Sequence, residues 1–346
     1  MPFHLSSAVR LHVTPCFANM RIHSVLALIA VMLGLTINEP SHGQTPAGYP
    51  SRPVKIIVPY GAAGMVDTVA RFVSKTFSEA LGQPLVVENR PGAGGAIAGA
   101  EVARSAPDGY TLLMDAMGTL GILSLTNPQL PFDAWRDFTP IATVTKQPLL
   151  VAVRTTLPVK ILTDLVALAK AKPGSLSFGS PGRGTEVHLA TELLKHEAKI
   201  DMLHVPYKGG GPAVVDLAGG RIDLIILTQS ALRPAIEQGK VRIIATLTPE
   251  RVPTMSDVPT VVEAGYPNLV YVPYTALFAP AKTPTPIIQY WAQVLAKLRG
   301  DPAMQKWAES TGAEISVSDP PAVAKLMQEQ REKWKPVIDK LDPVDR

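Results

Sequence analysis

The chain is 346 residues long and sets 33 Lys and Arg against 29 Asp and Glu, a formal net charge of +4. The basic surplus is scattered rather than clustered among aromatics, which removes the electrostatic footprint of a nucleic-acid partner. The single cysteine, Cys16, lies near the start, so a disulfide framework and a thiolate metal site are also excluded.

Arg10 and Arg21 precede an apolar run from Val25 to Ile37, broken only by Gly34 and Thr36, and Ser41 and Gly43 follow at a signal-peptidase spacing. This pattern predicts a secretory leader over residues 1–43, with Met20 as an alternative start, and hence a periplasmic protein. A retained anchor is the rival reading, but the run is shorter than the about 20 apolar residues a span needs. Cleavage removes Arg10, Arg21 and Glu39, two positive charges and one negative, so +4 becomes +3. Cys16 leaves as well; standing before the apolar run, it is not a lipid-attachment cysteine. The roughly 300 residues that remain are long for one core and suit two lobes.

In chain order, Val54–Val58 reads as a buried strand ended by Pro59. After the loop from Tyr60 to Gly64, Val66, Val69, Val73, Phe77 and Leu81 form one helical stripe that Gly82 stops. Strands are expected at Leu85–Val87 and Tyr110–Met114, with a glycine-rich turn from Pro91 to Gly99 leading into a short helix between them. The second half repeats the plan. A strand at Leu150–Val153 precedes a helix capped by Thr163 and running to Lys172. A strand at Leu176–Phe178 leads through the loop Gly179–Gly184 into a helix through Val187, Ala190, Leu194 and Ala198. Pro212 sits in the first turn of a helix ending at Gly219-Gly220. Strands at Ile222–Leu227 and Val241–Leu247 follow, then helices over Pro284–Leu298 and about Pro320–Leu341. The alternation predicts an α/β fold of two doubly wound lobes with parallel sheets covered on both faces.

The chemistry sits in two loops, Gly61-Ala62-Ala63-Gly64 and Ser180-Pro181-Gly182-Arg183-Gly184-Thr185, each followed by a helix. Helix starts expose unpaired N–H groups and a positive dipole end, which attract an anion. In open α/β sheets ligands collect beyond the carboxyl ends of strands. If the loops face each other across a cleft, one carboxylate can bridge both lobes; otherwise they are tight turns with Ser180 and Thr185 as caps. Asp67 caps its own helix, orients the first loop or receives a ligand amine. His188 either donates to a ligand or packs in the lobe interface. Catalytic patterns fail. Phe178-Gly179-Ser180-Pro181-Gly182 lacks the first glycine of a nucleophile elbow. Gly182-x-Gly184 followed by Val187 misses the dinucleotide pattern. The histidines form no metal-ligand spacing. The expectation is a binding protein without enzyme activity, cofactor or metal, with a periplasmic hydrolase using Ser180 and His188 as the rival.

Several motifs carry a resemblance: Arg52-Pro53, Val87-Glu88-Asn89-Arg90-Pro91-Gly92-Ala93-Gly94-Gly95 and Pro107-Asp108-Gly109-Tyr110-Thr111-Leu112. They continue with Asp137-Phe138-x-Pro140, the Gly179 to Leu189 run, and His204-Val205-Pro206-Tyr207-Lys208-Gly209-Gly210-x-Pro212-Ala213. Asp216-Leu217-x-Gly219-Gly220 and Asp257-Val258-Pro259-Thr260-x2-Glu263-Ala264-Gly265 complete the set. In this order the chain resembles the Bug (TctC-like) extracytoplasmic solute receptors of tripartite tricarboxylate transport systems.

The resemblance implies a type II periplasmic binding-protein fold, with lobe 1 at 44–150 plus 275–346 and lobe 2 at 151–274. It places the ligand carboxylate between Tyr60, Gly61, Ala62, Ala63, Gly64 and Asp67 on one side and Ser180, Gly182, Arg183, Gly184, Thr185 and His188 on the other. Gly118, Thr119, Tyr207 and Gln229 join the implied site. The implied partners are a small organic acid or amino acid and a membrane permease; the receptor is expected to be a monomer, with sensing in place of transport as the alternative role. The chain departs from the family at three places. Ala62-Ala63-Gly64 stands where the family commonly has Pro-Gly-Gly, which predicts a reshaped loop because alanine avoids positive φ. Asp115 replaces a small residue, so that it either meets the ligand or points to solvent. Gln229-Ser230 falls where relatives carry other polar residues.

Overall fold

The computed structural model describes residues 48–127 and 129–340, so the expected leader lies outside the described residues. The chain opens with β1 (Val54–Val58), α1 (Met65–Ser78), β2 (Leu85–Asn89), α2 (Ala96–Ala103), β3 (Thr111–Ala116), α3 (Met117–Thr126) and β4 (Phe138–Lys146). It continues through β5 (Leu149–Arg154), α4 (Leu162–Ala171), β6 (Ser177–Ser180), α5 (Glu186–Ala198), β7 (Leu203–Pro206), α6 (Gly210–Ala218), β8 (Leu224–Thr228), α7 (Gln229–Glu237) and β9 (Val241–Thr246). The last part is β10 (Tyr274–Pro280), α8 (Thr285–Ala296), α9 (Pro302–Thr311), β11 (Glu314–Ile315) and α10 (Pro320–Ile338).

Two sheets result, in the orders β11-β4-β10-β3-β1-β2 and β7-β6-β8-β5-β9. The expectation of parallel sheets holds only for part of each. β1 is parallel to β2 and β3, and β6 is parallel to β7 and β8. In contrast, β10 runs antiparallel to β3 and β4, and β5 runs antiparallel to β8 and β9. The cause is the crossing path. β4 runs into β5 with only Gln147 and Pro148 between them, so no crossover helix turns the chain back to a parallel direction. The return segment lies beside this crossing, with Gln147 N–H donating to the Pro273 carbonyl at 3.1 Å and Leu247 N–H to Leu149 at 2.8 Å.

Helix α1 shows why the sequence pattern works. Val66, Val69, Ala70, Val73 and Phe77 are buried against the first sheet while Arg71 and Lys75 face water. Each large apolar side chain so buried contributes about 1.5–3 kcal/mol. The helix ends at Ser78, before the expected Leu81, and Gly82 turns the chain at φ +64°. Helix α4 also differs from expectation: it starts at Leu162, and its amino end is tied by Asp164, which accepts from Lys160 N–H at 2.9 Å. Thr163 is therefore inside the helix rather than its cap. Helix α10 packs Val323 and Met327 into the core of the first sheet and Trp334 and Ile338 into that of the second.

Candidate functional site

The two loops meet. A Cβ built on Gly61 would lie 3.1 Å from the Lys208 carbonyl oxygen, and one on Gly209 would lie 3.0 Å from Gly61 N. A Cβ on Gly94 would stand 2.5 Å from the Arg183 carbonyl oxygen. Backbone from the first sheet thus touches backbone from the second, and glycine is what permits the approach.

Between them is a cavity of about 50 Å³, room for a few waters or a small acid group. Its wall is made of helix starts. Gly64, Met65 and Val66 open α1, Ala116 caps α3, Thr185, Glu186 and Val187 open α5, Gly210 opens α6, and Thr228 caps α7. First-turn N–H groups have no partner within their own helix, so five helix dipoles direct positive ends at one space. Tyr60, Leu149, Pro181, Leu227 and Ala231 complete the largely apolar wall.

The anticipated polar residues work mostly one step back. Asp67, buried in α1, accepts from Ala63 N–H at 2.9 Å, Arg71 Nε at 2.9 Å and Asn89 Nδ2 at 2.8 Å. Asn89 also donates to the Tyr60 carbonyl at 2.9 Å. Of its three readings, orienting the first loop is the one this geometry matches. Ala63 takes φ +65°, so the loop keeps the left-handed turn that alanine was expected to refuse. The reason is that Asp67 holds the Ala63 N–H, an ionic hydrogen bond that offsets the about 1–2 kcal/mol cost of that conformation.

The second loop is tied in the same manner. Ser180 is fully buried; its hydroxyl lies 2.7 Å from His204 Nε2 and 3.1 Å from the Gly182 carbonyl, and it receives Gly182 N–H at 3.2 Å. Thr185 caps α5, accepting from His188 N–H at 3.3 Å and donating to the Gly182 carbonyl at 2.8 Å. His188 Nδ1 accepts Gly184 N–H at 3.3 Å, which leaves the proton on Nε2. The His188 and His204 rings stack at 4.1 Å, with Phe178 4.7 Å beyond His204. Burial lowers His188 to about 3 and His204 to about 4, so both stay neutral at ordinary pH.

Other anticipated residues lie elsewhere. Gly118 and Thr119 fall in the first turn of α3. The Tyr207 hydroxyl donates to Asp216 at 2.8 Å, and Asp216 is paired with Arg221. The Gln229 side chain packs against Gly312, at the end of α9 rather than in the cavity wall. Ala62 faces Gly211, its carbonyl oxygen 3.5 Å from where a Cβ on that glycine would stand. Sequence reasoning missed Glu186, His204, Thr228 and Tyr271. Thr228 and Ala116 were accessible in principle, since both end strands that point into helices.

Asp115 does not point to solvent. It is buried at the end of β3, accepts Ala116 N–H at 2.7 Å and receives the Tyr60 hydroxyl. Burial raises it to about 7, against the pull of those two hydrogen bonds. Glu186 is also buried and receives the Tyr271 hydroxyl; burial raises it to about 8, with the Asp115 charge adding to the rise. Ser180 has a histidine partner, but it is His204, a base weakened by burial, in a place closed to solvent. That pair is unsuited to nucleophilic catalysis.

Residues 69–342 match the model of the tripartite tricarboxylate transporter family receptor, TctC. The chain belongs to this receptor family. Protein BugT of Bordetella pertussis is 34% identical over 323 residues, covering 92% of this chain and 98% of BugT. Two solved structures share the fold of this receptor. Rpa4515 of R. palustris, with adipate, has a TM-score of 0.81 at 33% identity over 84% of this chain and 97% of that one. MatC (Rpa3494) from Rhodopseudomonas palustris, with bound malate, has a TM-score of 0.80 at 33% identity over 84% and 100%. These relatives are solute-binding receptors rather than enzymes, which removes the hydrolase alternative. The periplasmic binding-protein architecture expected from the motifs is the observed one. Among the described residues of the receptor, no helix is long and apolar enough to cross a membrane.

Proposed function

We propose that this receptor captures a small carboxylate-bearing solute by closing two lobes around it and passes it to the membrane permease of a tripartite tricarboxylate-type transporter. The lobes are 44–150 plus 275–346 and 151–274, the leader is 1–43, and the working form is a periplasmic monomer. The supporting observation is the convergence of five helix starts, from both sheets, on one cavity. An anion there meets backbone donors and dipoles that need no reorganisation. The ligand carboxylate would sit against the first turns of α1 and α5, held by main-chain N–H groups. Asp67, Ser180, Thr185 and His188 shape the two loops around it. Closure adds the second set of contacts, and so the ligand stabilises the closed form by its differential affinity.

A thermal-shift screen of small carboxylates, including malate and adipate, tests this. A ligand held only by the native state stabilises it by RT ln(1 + L/Kd), where L is the free ligand concentration, and so raises Tm as that concentration rises. The expected result is a dose-dependent rise with at least one acid, absent with its amide. A panel of mono-, di- and tricarboxylates and amino acids that leaves Tm unmoved would sink the reading. Sequencing the amino terminus of the periplasmic form tests the leader, and capture by the cognate permease in membranes tests delivery.

A further inference from the structure

Two carboxyl groups come together in this cleft from opposite sheets. Asp115 belongs to β3 of the first sheet, and Glu186 is the first residue of α5 beside the second. Both are at most 2% exposed. Each receives one phenol hydroxyl: Asp115 that of Tyr60, which lines the cavity with Glu186, and Glu186 that of Tyr271, on the segment returning between the sheets. Among the described residues, neither carboxyl is paired with a cation. Two negative charges in a dry cleft repel each other and lose their water, whereas the same groups on an open cleft are hydrated and apart.

We propose that closing of the cleft is proton-coupled: Asp115 and Glu186 take up protons from bulk water as the two sides meet and return them when the sides part. This rests on reading the cleft as one that opens and closes. The raised values of both groups support it: burial lifts Asp115 to about 7 and Glu186 to about 8, and the Asp115 charge adds a smaller rise at Glu186.

The surrounding charges are otherwise engaged. Tyr271 is pushed well above its ordinary value and stays protonated. Lys333 lies 5.1 Å from the Tyr271 ring and donates to the Val270 carbonyl. From α1, Asp67 is paired with Arg71; from α6, Asp216 with Arg221; from α5, His188 stays neutral. The Arg183 charge acts on His188 and His204, and Glu192 of α5 is paired with Lys195.

The closed state has the raised values, so it is fully favoured below the open-state range near 4. That preference is lost as pH rises toward 7–8, by up to about tenfold per pH unit for each carboxyl. Above that range no further change is expected.

The test needs no ligand, so it is independent of whether any carboxylate binds. Small-angle scattering of the purified protein at about pH 5.5 and about pH 8.5 reads the lobe closure. The expected result is a smaller radius of gyration at the lower pH. Asp115→Asn with Glu186→Gln keeps acceptors for Ala116, Tyr60 and Tyr271 but removes both titrations. It should hold the low-pH radius at both values, with circular dichroism confirming the fold. Each single variant, which covers a misfolded double variant, should lose about half of the pH response. A wild-type radius independent of pH, a larger radius at low pH, or an unchanged response in the variants would overturn the proposal.

Discussion

The Asp67 carboxylate holds the backbone N–H of Ala63, four residues earlier, at 2.9 Å while Ala63 occupies φ +65°. An aspartate and a strained alanine thus define one loop. Replacing Ala63 by glycine removes the left-handed penalty of about 1–2 kcal/mol but adds up to about 1 kcal/mol of unfolded-chain entropy. Ala63→Gly should therefore be neutral to slightly stabilising in urea unfolding. Asp67→Ala strands the Ala63 N–H and the Asn89 amide, and a loss of about 3 kcal/mol is expected. If Asp67→Ala binds carboxylate with unchanged affinity, Asp67 does not shape the site.

The close approach of the two loops depends on Gly94. Its added Cβ would stand 2.5 Å from a backbone oxygen, that of Arg183, which cannot swing away as a side chain does. Gly94→Ala should lower ligand affinity at least tenfold, since the closed state carries the second set of contacts. Because Gly94 also has φ +63°, Gly239→Ala serves as the control: φ +67° with nothing within 4 Å. Equal loss of affinity in both, measured by calorimetry, would assign the effect to backbone strain and not to closure.

Much of this was legible beforehand, and the rest failed for identifiable reasons. The 3.6 period exposed α1 and α5 because one face of each is buried on a sheet. Strand β4 went unread because Pro140, Thr143 and Thr145 break its apolar pattern, although partners on both sides pair it. Ser180 and Thr185 were found by their motif, but a motif does not say where a hydroxyl points. That needed His204, which lies 24 residues from Ser180 and joins it only through the pairing of β6 with β7. Asp115 stood out as a departure, but its pairing with Glu186 was hidden for the same reason: the two are 71 positions apart in the numbering, and only the fold makes them neighbours.

Helix α10 couples the two sheets through its last turns. Trp334 is fully buried, with its ring edge-to-face on Tyr271 at 5.0 Å. Trp334→Ala should cost about 3–5 kcal/mol as a large core truncation. Because Tyr271 donates to Glu186, the variant should also weaken ligand binding. Lowered stability with intact affinity in the folded fraction would confine Trp334 to packing.

The buried histidines set an acid limit to stability. His188 and His204 are held near 3 and 4, below the ordinary value of about 6.5. A base depressed in the folded state contributes stability that is complete above 6.5 and lost as pH falls through the folded values. Asp115 and Glu186 act in the opposite sense, losing stability as pH rises from near 4 to about 7–8. Two groups of each kind nearly cancel between about 4.5 and 6.5, so the urea midpoint should be flat there. It should fall on the alkaline side up to about 8, and fall again below about 4. Replacing His204 by phenylalanine leaves Ser180 without its ring partner and should cost about 1–3 kcal/mol at neutral pH. It should also soften the acid fall, because one depressed base is gone. If the acid limb keeps its wild-type steepness in that variant, His204 is not among the groups that set it.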